Sequence, residues 1–559
     1  MGRTPLFRNI TRLFRIAAAG NRRNLKTGDL LEQTQEAQFR YRQYQLSRRE
    51  FLALAGAATG AALLPKRSDA AAKLKSTARI AIIGGGMAGI SCATELARRG
   101  VNATLYEANG RRLGGRMWSS QQIPGKVIER GGEFIDSDNP LLLHYVKSLG
   151  LQLEDAYEIP GDGFYYLLGQ RYAAAEIVAE IRQFASRIEP DQKKIGEPTF
   201  FSYSANEKQL DHVDLATYLD HHAHDLPLAR TVLDLACNIE FGLETSEQSA
   251  LNLLLSLDVG KDFSPFEIYS DERYHVVEGN AQIPLRLAEK LPGPIHHATA
   301  LTRLRRNRLG EFELYFNHSV TPELADAVVL TLPFSVLRTV ELDPSLKLSA
   351  DKLRAINELK YGDNVKTTYA FNGRPWIGAG CSGDLLTDLG DIQNTWESNW
   401  STAKEISLLT NYSGGNLARR LQLMGNGGVG DCSSCHGEEP NFSAIKRETL
   451  QSQAEAFMTD LDKVIPGAKA AALMVEGRYV LERSHWTQQN FSKGSYVGNH
   501  PGYFTTIAGL EVQSAGPLKF AGEHTSSFYE WQGYMEGAAL SGKAAAAEII
   551  KDIQQRRIG

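Results

Sequence analysis

Three glycines, Gly84, Gly86 and Gly89, stand at G-x-G-x-x-G spacing between an apolar run, residues 79–83, and a helical stretch, residues 88–99. A glycine turn in that position lets backbone approach a pyrophosphate, and the positive N-terminus of the helix, opened by Met87 and Ala88, receives the charge. A second strand-like run, residues 101–106, ends in Glu107, 18 residues past Gly89. A carboxylate there accepts hydrogen bonds from a ribose diol and disfavours a 2′-phosphate. Glycine turns alone are common; strand, glycines, helix, strand and terminal acid in this order specify a dinucleotide site, with FAD or NAD favoured over NADP.

A second cluster has its own chemistry. Cys432, Cys435 and His436 form C-x-x-C-H, the attachment pattern of a c-type haem, inside a Gly-rich insertion at residues 425–440. The insertion is too short to be a cytochrome domain by itself. A disulfide between Cys432 and Cys435, or a reduced pair in a solvated loop, competes with the haem assignment. The other cysteines, Cys92, Cys237 and Cys381, are scattered and supply no second C-x-x-C for zinc.

Further motifs arrive in a fixed order. Gly114-Gly115-Arg116, preceded by Arg111 and Arg112, follows the second strand, and Gly131-Gly132-Glu133 follows another short run. Far downstream stand Phe520-Ala-Gly-Glu-His-Thr525 and Trp531-Gln-Gly-Tyr-Met-Glu-Gly537. From residue 79 to residue 553 the chain resembles the flavin-containing amine oxidase family, which includes monoamine, polyamine and L-amino-acid oxidases. Between these motifs, residues 276–284 look like that family's entry to a helix and residues 327–333 like its return strand into the FAD domain.

That resemblance implies FAD, with Gly115 and Arg116 along its phosphates and flavin, Gly132 and Glu133 nearby, and Leu301 against the adenine. Glu523 matches the acid beside the ribityl or phosphate region, and Gly522 and Met535 lie where backbone meets the isoalloxazine. Lys366, ten residues before Trp376, matches a buried lysine that holds a water against the reactive flavin nitrogen. Burying an ammonium is costly unless it is paired, so a lysine among Val365, Thr367, Tyr369 and Phe371 needs a reason. Tyr496 and Tyr534 match the two aromatic walls that orient an amine. No cysteine stands where some monoamine oxidases attach the flavin, so the FAD is expected to be noncovalent.

The reaction these residues imply is oxidation of an amine or L-amino acid to the imine, hydrolysed to a carbonyl product and ammonia or a smaller amine. Electrons would pass to oxygen or to a respiratory acceptor. Where venom-type L-amino-acid oxidases carry a carboxylate-binding arginine in a Gly-x-Met-Arg segment, this chain has Gly132-Glu133-Phe134-Ile135; the acid would repel a carboxylate and favour a second cation, as in a basic amino acid or a di- or polyamine, unless Arg483 or Arg374 supplies a clamp. Two other classes stay open: a flavin desaturase or protoporphyrinogen-oxidase-like enzyme, and a noncatalytic FAD-binding protein.

These residues need a large scaffold. The 559 residues, 42% hydrophobic and 23% charged with a net charge of −4, suffice for two full cores and carry no nucleic-acid footprint. The expected fold is α/β: a Rossmann-type FAD-binding domain from residues 75–145, 270–340 and 505–555, interleaved with an α+β substrate domain from residues 146–269 and 341–504. Residues 1–72 have the character of a leader. Ser47-Arg48-Arg49-Glu50-Phe51-Leu52 resembles a twin-arginine signal, and the apolar stretch 51–64 precedes Pro65 and Ala70-Ala71-Ala72. Its helix would be about 21 Å long, short of a hydrocarbon core of about 30 Å, so a signal peptide, with the mature protein starting near Ala72 or Lys73, and a periplasmic location are expected, with an uncleaved apolar anchor as the alternative. The basic stretch 1–45 is also suited to lying on an anionic membrane surface.

Overall fold

The computed structural model describes residues 5–27, 29, 73–74, 76–155, 162–257, 271–398, 405–421, 431–432, 444–526 and 531–558. The chain opens with helix α1 (Pro5–Arg23). Strand β1 (Ile80–Ile83), helix α2 (Met87–Arg98) and strand β2 (Thr104–Tyr106) follow. Helices α3 (Ala174–Gln192) and α4 (Pro227–Phe241) precede strands β3 (Ile295–His296) and β4 (Ala327–Leu330). Then come β5 (Asn364–Asn372), β6 (Asn394–Ser398), β7 (Ile406–Gly414), β8 (Leu481–His485), β9 (Leu518–Phe520) and helix α5 (Met535–Gln554).

The first sheet is parallel, in the order β9-β4-β1-β2-β3. All four residues of β1 are buried, as a strand covered on both faces requires, and its neighbours pair in register as Ile82 with Val329 and with Leu105. Helix α5, from the far end of the chain, crosses α2 closely. A Cβ at Gly542 would stand 2.0 Å from the Ala88 carbonyl oxygen, and Ser91 Oγ donates to the Ala539 carbonyl at 2.7 Å. Residues more than 400 apart thereby hold the first helix of the dinucleotide turn in place.

The second sheet has eight strands, with β8-β5-β7-β6 consecutive and antiparallel. Eight of the nine residues of β5 are buried, so the strand is covered on both faces. The two faces differ in content. Tyr369 and Phe371 point into an apolar layer where Tyr369 stacks on Phe457 at 4.0 Å and Phe371 meets Trp376 edge-on. The alternate residues Lys366 and Thr368 point the other way, as the two-residue period of a strand demands.

Helix α1 lies within the segment read from the sequence as a leader. It packs on α3 and α4, with Ile10, Phe14, Ile16 and Ala17 at no more than 1% exposure and Phe14 edge-on to Phe184 at 5.8 Å. Asn21 donates to the Arg182 carbonyl and accepts from Arg182 Nε, both at 2.9 Å. The cause is a stripe, Ile10, Leu13, Phe14 and Ala17, at helical spacing. The helix is therefore part of a folded core; Arg48-Arg49, the proposed export signal, and the apolar stretch after it lie outside the described residues. Among the described residues no helix is long and apolar enough to cross a membrane.

Candidate active site

One cavity runs from the carboxyl ends of β1 and β4 to the face of the second sheet. At its first end lie Gly84, Gly86, Met87 and Ala88, the turn between β1 and α2. Gly89 lies behind them: a Cβ there would stand 2.0 Å from the Gly84 carbonyl oxygen, so its role is close packing of helix on turn. Glu107, at the end of β2, accepts the Gly85 N–H with one oxygen and the Asn109 N–H with the other, each at 2.6 Å. Burial pushes its carboxyl pKa up, and the two backbone donors and Arg112 oppose that shift.

Arg112 and Arg116 line the same end. Burial pulls the Arg112 guanidinium down to about 10, since a cation out of water is disfavoured. Its head donates to the Gly115 carbonyl at 2.7 Å, while Nε has no partner. Trp118 lies between two guanidiniums, with Arg112 at 4.3 Å and Arg130 at 4.2 Å from its ring centre. Arg116 donates to Glu523 at 2.9 Å and to the Ser495 carbonyl at 2.6 Å, and the second Glu523 oxygen is buried without a partner. A ligand with both phosphate and hydroxyl groups fits this donor and acceptor set, which tests well for a dinucleotide.

At the second end stands Lys366 on β5. Its ammonium donates to the Glu129 carbonyl at 3.1 Å, the Gly131 carbonyl at 2.9 Å and Glu133 Oε2 at 2.7 Å. Glu133 Oε1 accepts Ser398 Oγ at 2.9 Å, and a hydroxyl chain continues through Thr410 to Thr368 in 2.8 Å steps. The register places Lys366 opposite Tyr412 of β7. Trp396 of β6 meets Tyr412 edge-on at 5.7 Å and Phe134 at 5.9 Å, and its ring centre is 5.6 Å from the lysine nitrogen. Tyr412 donates to the Tyr496 hydroxyl, which donates to the Ile239 carbonyl, each at 3.2 Å. Tyr534 caps the start of α5 and Met535 lies against Gly132, and both line the cavity with Gly522.

The structure thus gathers most of the sequence candidates around one space: Gly84, Gly86, Met87, Ala88, Glu107, Gly115, Arg116, Gly132, Glu133, Lys366, Tyr496, Gly522, Glu523, Tyr534 and Met535. Leu301 is not among the lining residues; it begins strand Leu301–Arg306 with its side chain in the core, because an inward strand position next to Phe316 leaves it facing apolar neighbours. The carboxylate-clamp candidates are also elsewhere. Arg374 pairs with the buried Glu397 at 2.7 Å, and Arg483 is held by Thr367, the Leu421 carbonyl and Gln453. Glu133 has both oxygens taken, so it is not the free acid a second substrate cation would need. Cys432 ends a two-residue strand beside β8, while Cys435 and His436 lie outside the described residues.

Sequence reasoning missed Phe134, Trp396, Tyr412, Trp486 and Arg130. Trp486 donates to the Arg130 carbonyl at 3.0 Å, and Arg130 is buried with Glu482 at 3.0 Å. The signal for Tyr412 and Trp396 was the alternation within β6 and β7, which becomes useful only once their pairing with β5 is known.

Fold and site define a dinucleotide-dependent oxidoreductase whose second cavity end is aromatic and charge-balanced. The model of the flavin containing amine oxidoreductases matches residues 87–550, and the chain belongs to that family. An L-amino-acid oxidase of Siganus canaliculatus is 25% identical over 509 residues, 88% of each chain. A probable flavin-containing monoamine oxidase A of Dictyostelium discoideum is 22% identical over 488 residues, 84% of this chain and 97% of that one. The solved cyclohexylamine oxidase of Brevibacterium oxydans IH-35A superposes with a TM-score of 0.68 at 22% identity, over 85% of this chain and 99% of that one. At that identity the superposition speaks to the fold, which is the two-domain α/β fold expected from the sequence.

Proposed function

We propose that the protein oxidises a small amine or amino acid to the imine, which water hydrolyses to a carbonyl compound and ammonia or a smaller amine. Noncovalent FAD, when bound, supplies the two-electron chemistry, and the electrons leave to oxygen or to a respiratory acceptor. The residues of the chain do the rest. The glycine turn, Glu107 and Arg112 anchor the dinucleotide end. Tyr496, Tyr412, Trp396 and Tyr534 narrow the other end to a slot that orients the amine and excludes water. Relatives named for L-amino acids and for simple amines bracket the substrate class. The observation that carries the reading is the placement of Lys366 and its aromatic neighbours at the far end of the cavity whose near end is the glycine turn.

The test is anaerobic addition of L-amino acids, monoamines and diamines to the FAD-loaded protein. Bleaching of the flavin by at least one of them, with release of ammonia or amine, is the expected result; a flavin that none of them bleaches contradicts it.

The motif at residues 47–52 supports export by the twin-arginine route to the periplasm, a route suited to a protein that folds around its flavin first. The burial of α1 supports retention of residues 5–29 in the exported protein, whatever happens to the chain between 30 and 72. Peptide mapping of the periplasmic protein should recover α1; an active protein lacking it contradicts retention.

A further inference from the structure

We propose that Glu133 is the specificity determinant that selects amines without a carboxylate, by neutralising Lys366. The inference rests on the reading that the sheet end of the cavity receives the amine.

Four cations line the cavity among the described residues: Arg112, Arg116, Arg130 and Lys366. Arg112 belongs to the glycine end beside Glu107. Arg116 is held by Glu523 and the Ser495 carbonyl, and Arg130 by Glu482 and the face of Trp118. Lys366 is the cation among the aromatic side chains of the sheet end. An ammonium has three protons to donate, and here each has a protein acceptor within 3.1 Å. The pair is nearly closed to solvent, with side-chain exposures of 7% for Lys366 and 6% for Glu133. It therefore offers the cavity neither net charge nor a spare donor.

A substrate carboxylate needs the opposite. Leaving water is costly for an anion unless a cation with free donors receives it, and at this end it would meet a neutral pair whose three ammonium protons are already taken. Rejection by leaving a charge unpaired is an ordinary route to specificity. An uncharged amine carried on an alkyl or aryl group has no such cost beside Trp396 and Phe134. The substrate class this predicts is a primary or secondary amine bearing no carboxylate.

The experiment titrates the FAD-loaded protein with benzoate and follows the visible absorption of the flavin, a readout independent of turnover. Glu133→Gln leaves Lys366 uncompensated and should bind benzoate at least tenfold more tightly than the wild type, and the gain should vanish in Glu133→Gln/Lys366→Met. No gain in the single variant, or a gain that survives loss of the lysine, overturns the proposal. Should Glu133→Gln fail to retain FAD, Lys366→Met alone gives the reciprocal reading: an uncompensated carboxylate weakens benzoate at least tenfold, and unchanged affinity overturns the proposal. Anaerobic bleaching of the same wild-type preparation by an amine separates failure of this inference from failure of the amine-oxidation reading.

Discussion

The two ends of the cavity are built by different means. At the glycine end most of the groups that face the cavity come from one stretch, residues 84–116, joined by Thr331 to Pro333 after β4 and by Glu523, and much of what they present is backbone: a turn, a helix N-terminus and a carboxylate fixed by two N–H groups. At the sheet end the groups are side chains from β5, β6, β7 and the loops at Glu133 and Tyr496, and Lys366 meets Glu133 across 233 residues of sequence. A backbone-built site is generic and tolerates little change. A side-chain-built site is tunable, and on the proposed reading substrate choice belongs to the sheet end.

The contrast can be attacked from either side. The largest effect is expected at the glycine end: Gly89→Val places a side chain 2.0 Å or less from a backbone oxygen that cannot give way. Loss of more than about 4 kcal/mol and of all retained FAD is expected, read as the flavin-to-protein ratio after gel filtration; normal occupancy would break the claim that the backbone of this end tolerates little change.

Next in size is a change distant from both ends. Phe14→Ala in α1 removes a ring at 1% exposure and should cost about 3–5 kcal/mol in urea unfolding, with FAD affinity unchanged. A cost under about 0.5 kcal/mol, that of an ordinary surface change, would return α1 to the disposable leader.

A smaller effect is a pH dependence. Burial holds His485 of β8 down at about 4 from an ordinary 6.5. The unfolded chain thus binds a proton that the native state refuses. The contribution is present above pH 6.5 and is lost as pH falls from 6.5 towards 4, about 3 kcal/mol in all. His485→Asn should flatten that part of the stability profile, measured by thermal melts between pH 4 and 7; an unchanged slope would show that the site is open to water.

The smallest effect is at Glu107. Replacing it by Gln keeps the shape and weakens acceptance of the ribose hydroxyls, so FAD should bind about tenfold less tightly, equivalent to about 1.4 kcal/mol. Equal affinity would show that the backbone turn suffices.

Legibility in the sequence follows the same division. The glycine turn, β1, α2, β2 and Glu107 are contiguous, and local periodicity with glycine spacing is enough to read them. Lys366, Tyr496 and Tyr534 were reachable through the family's motifs. Trp396 and Tyr412 were not, because a residue enters the site from β6 or β7 only through cross-strand register, and register is a long-range property. Glu133 was located as a residue, but its partner was not, and pairing turns a free acid into half of a neutral pair. The packing of helix α1 was not read from the sequence, because the basic and apolar composition of residues 1–45 drew attention away from the stripe that Ile10, Leu13, Phe14 and Ala17 trace.

The claim that the two ends divide cofactor binding from amine chemistry is tested most directly by Lys366→Met. Its FAD content and anaerobic reduction rate should be measured together, with the amine that best bleaches the wild-type flavin. The account predicts full FAD occupancy with reduction slowed about 100-fold, equivalent to about 2.7 kcal/mol. Reduction at the wild-type rate, or loss of FAD in proportion to loss of rate, would contradict it.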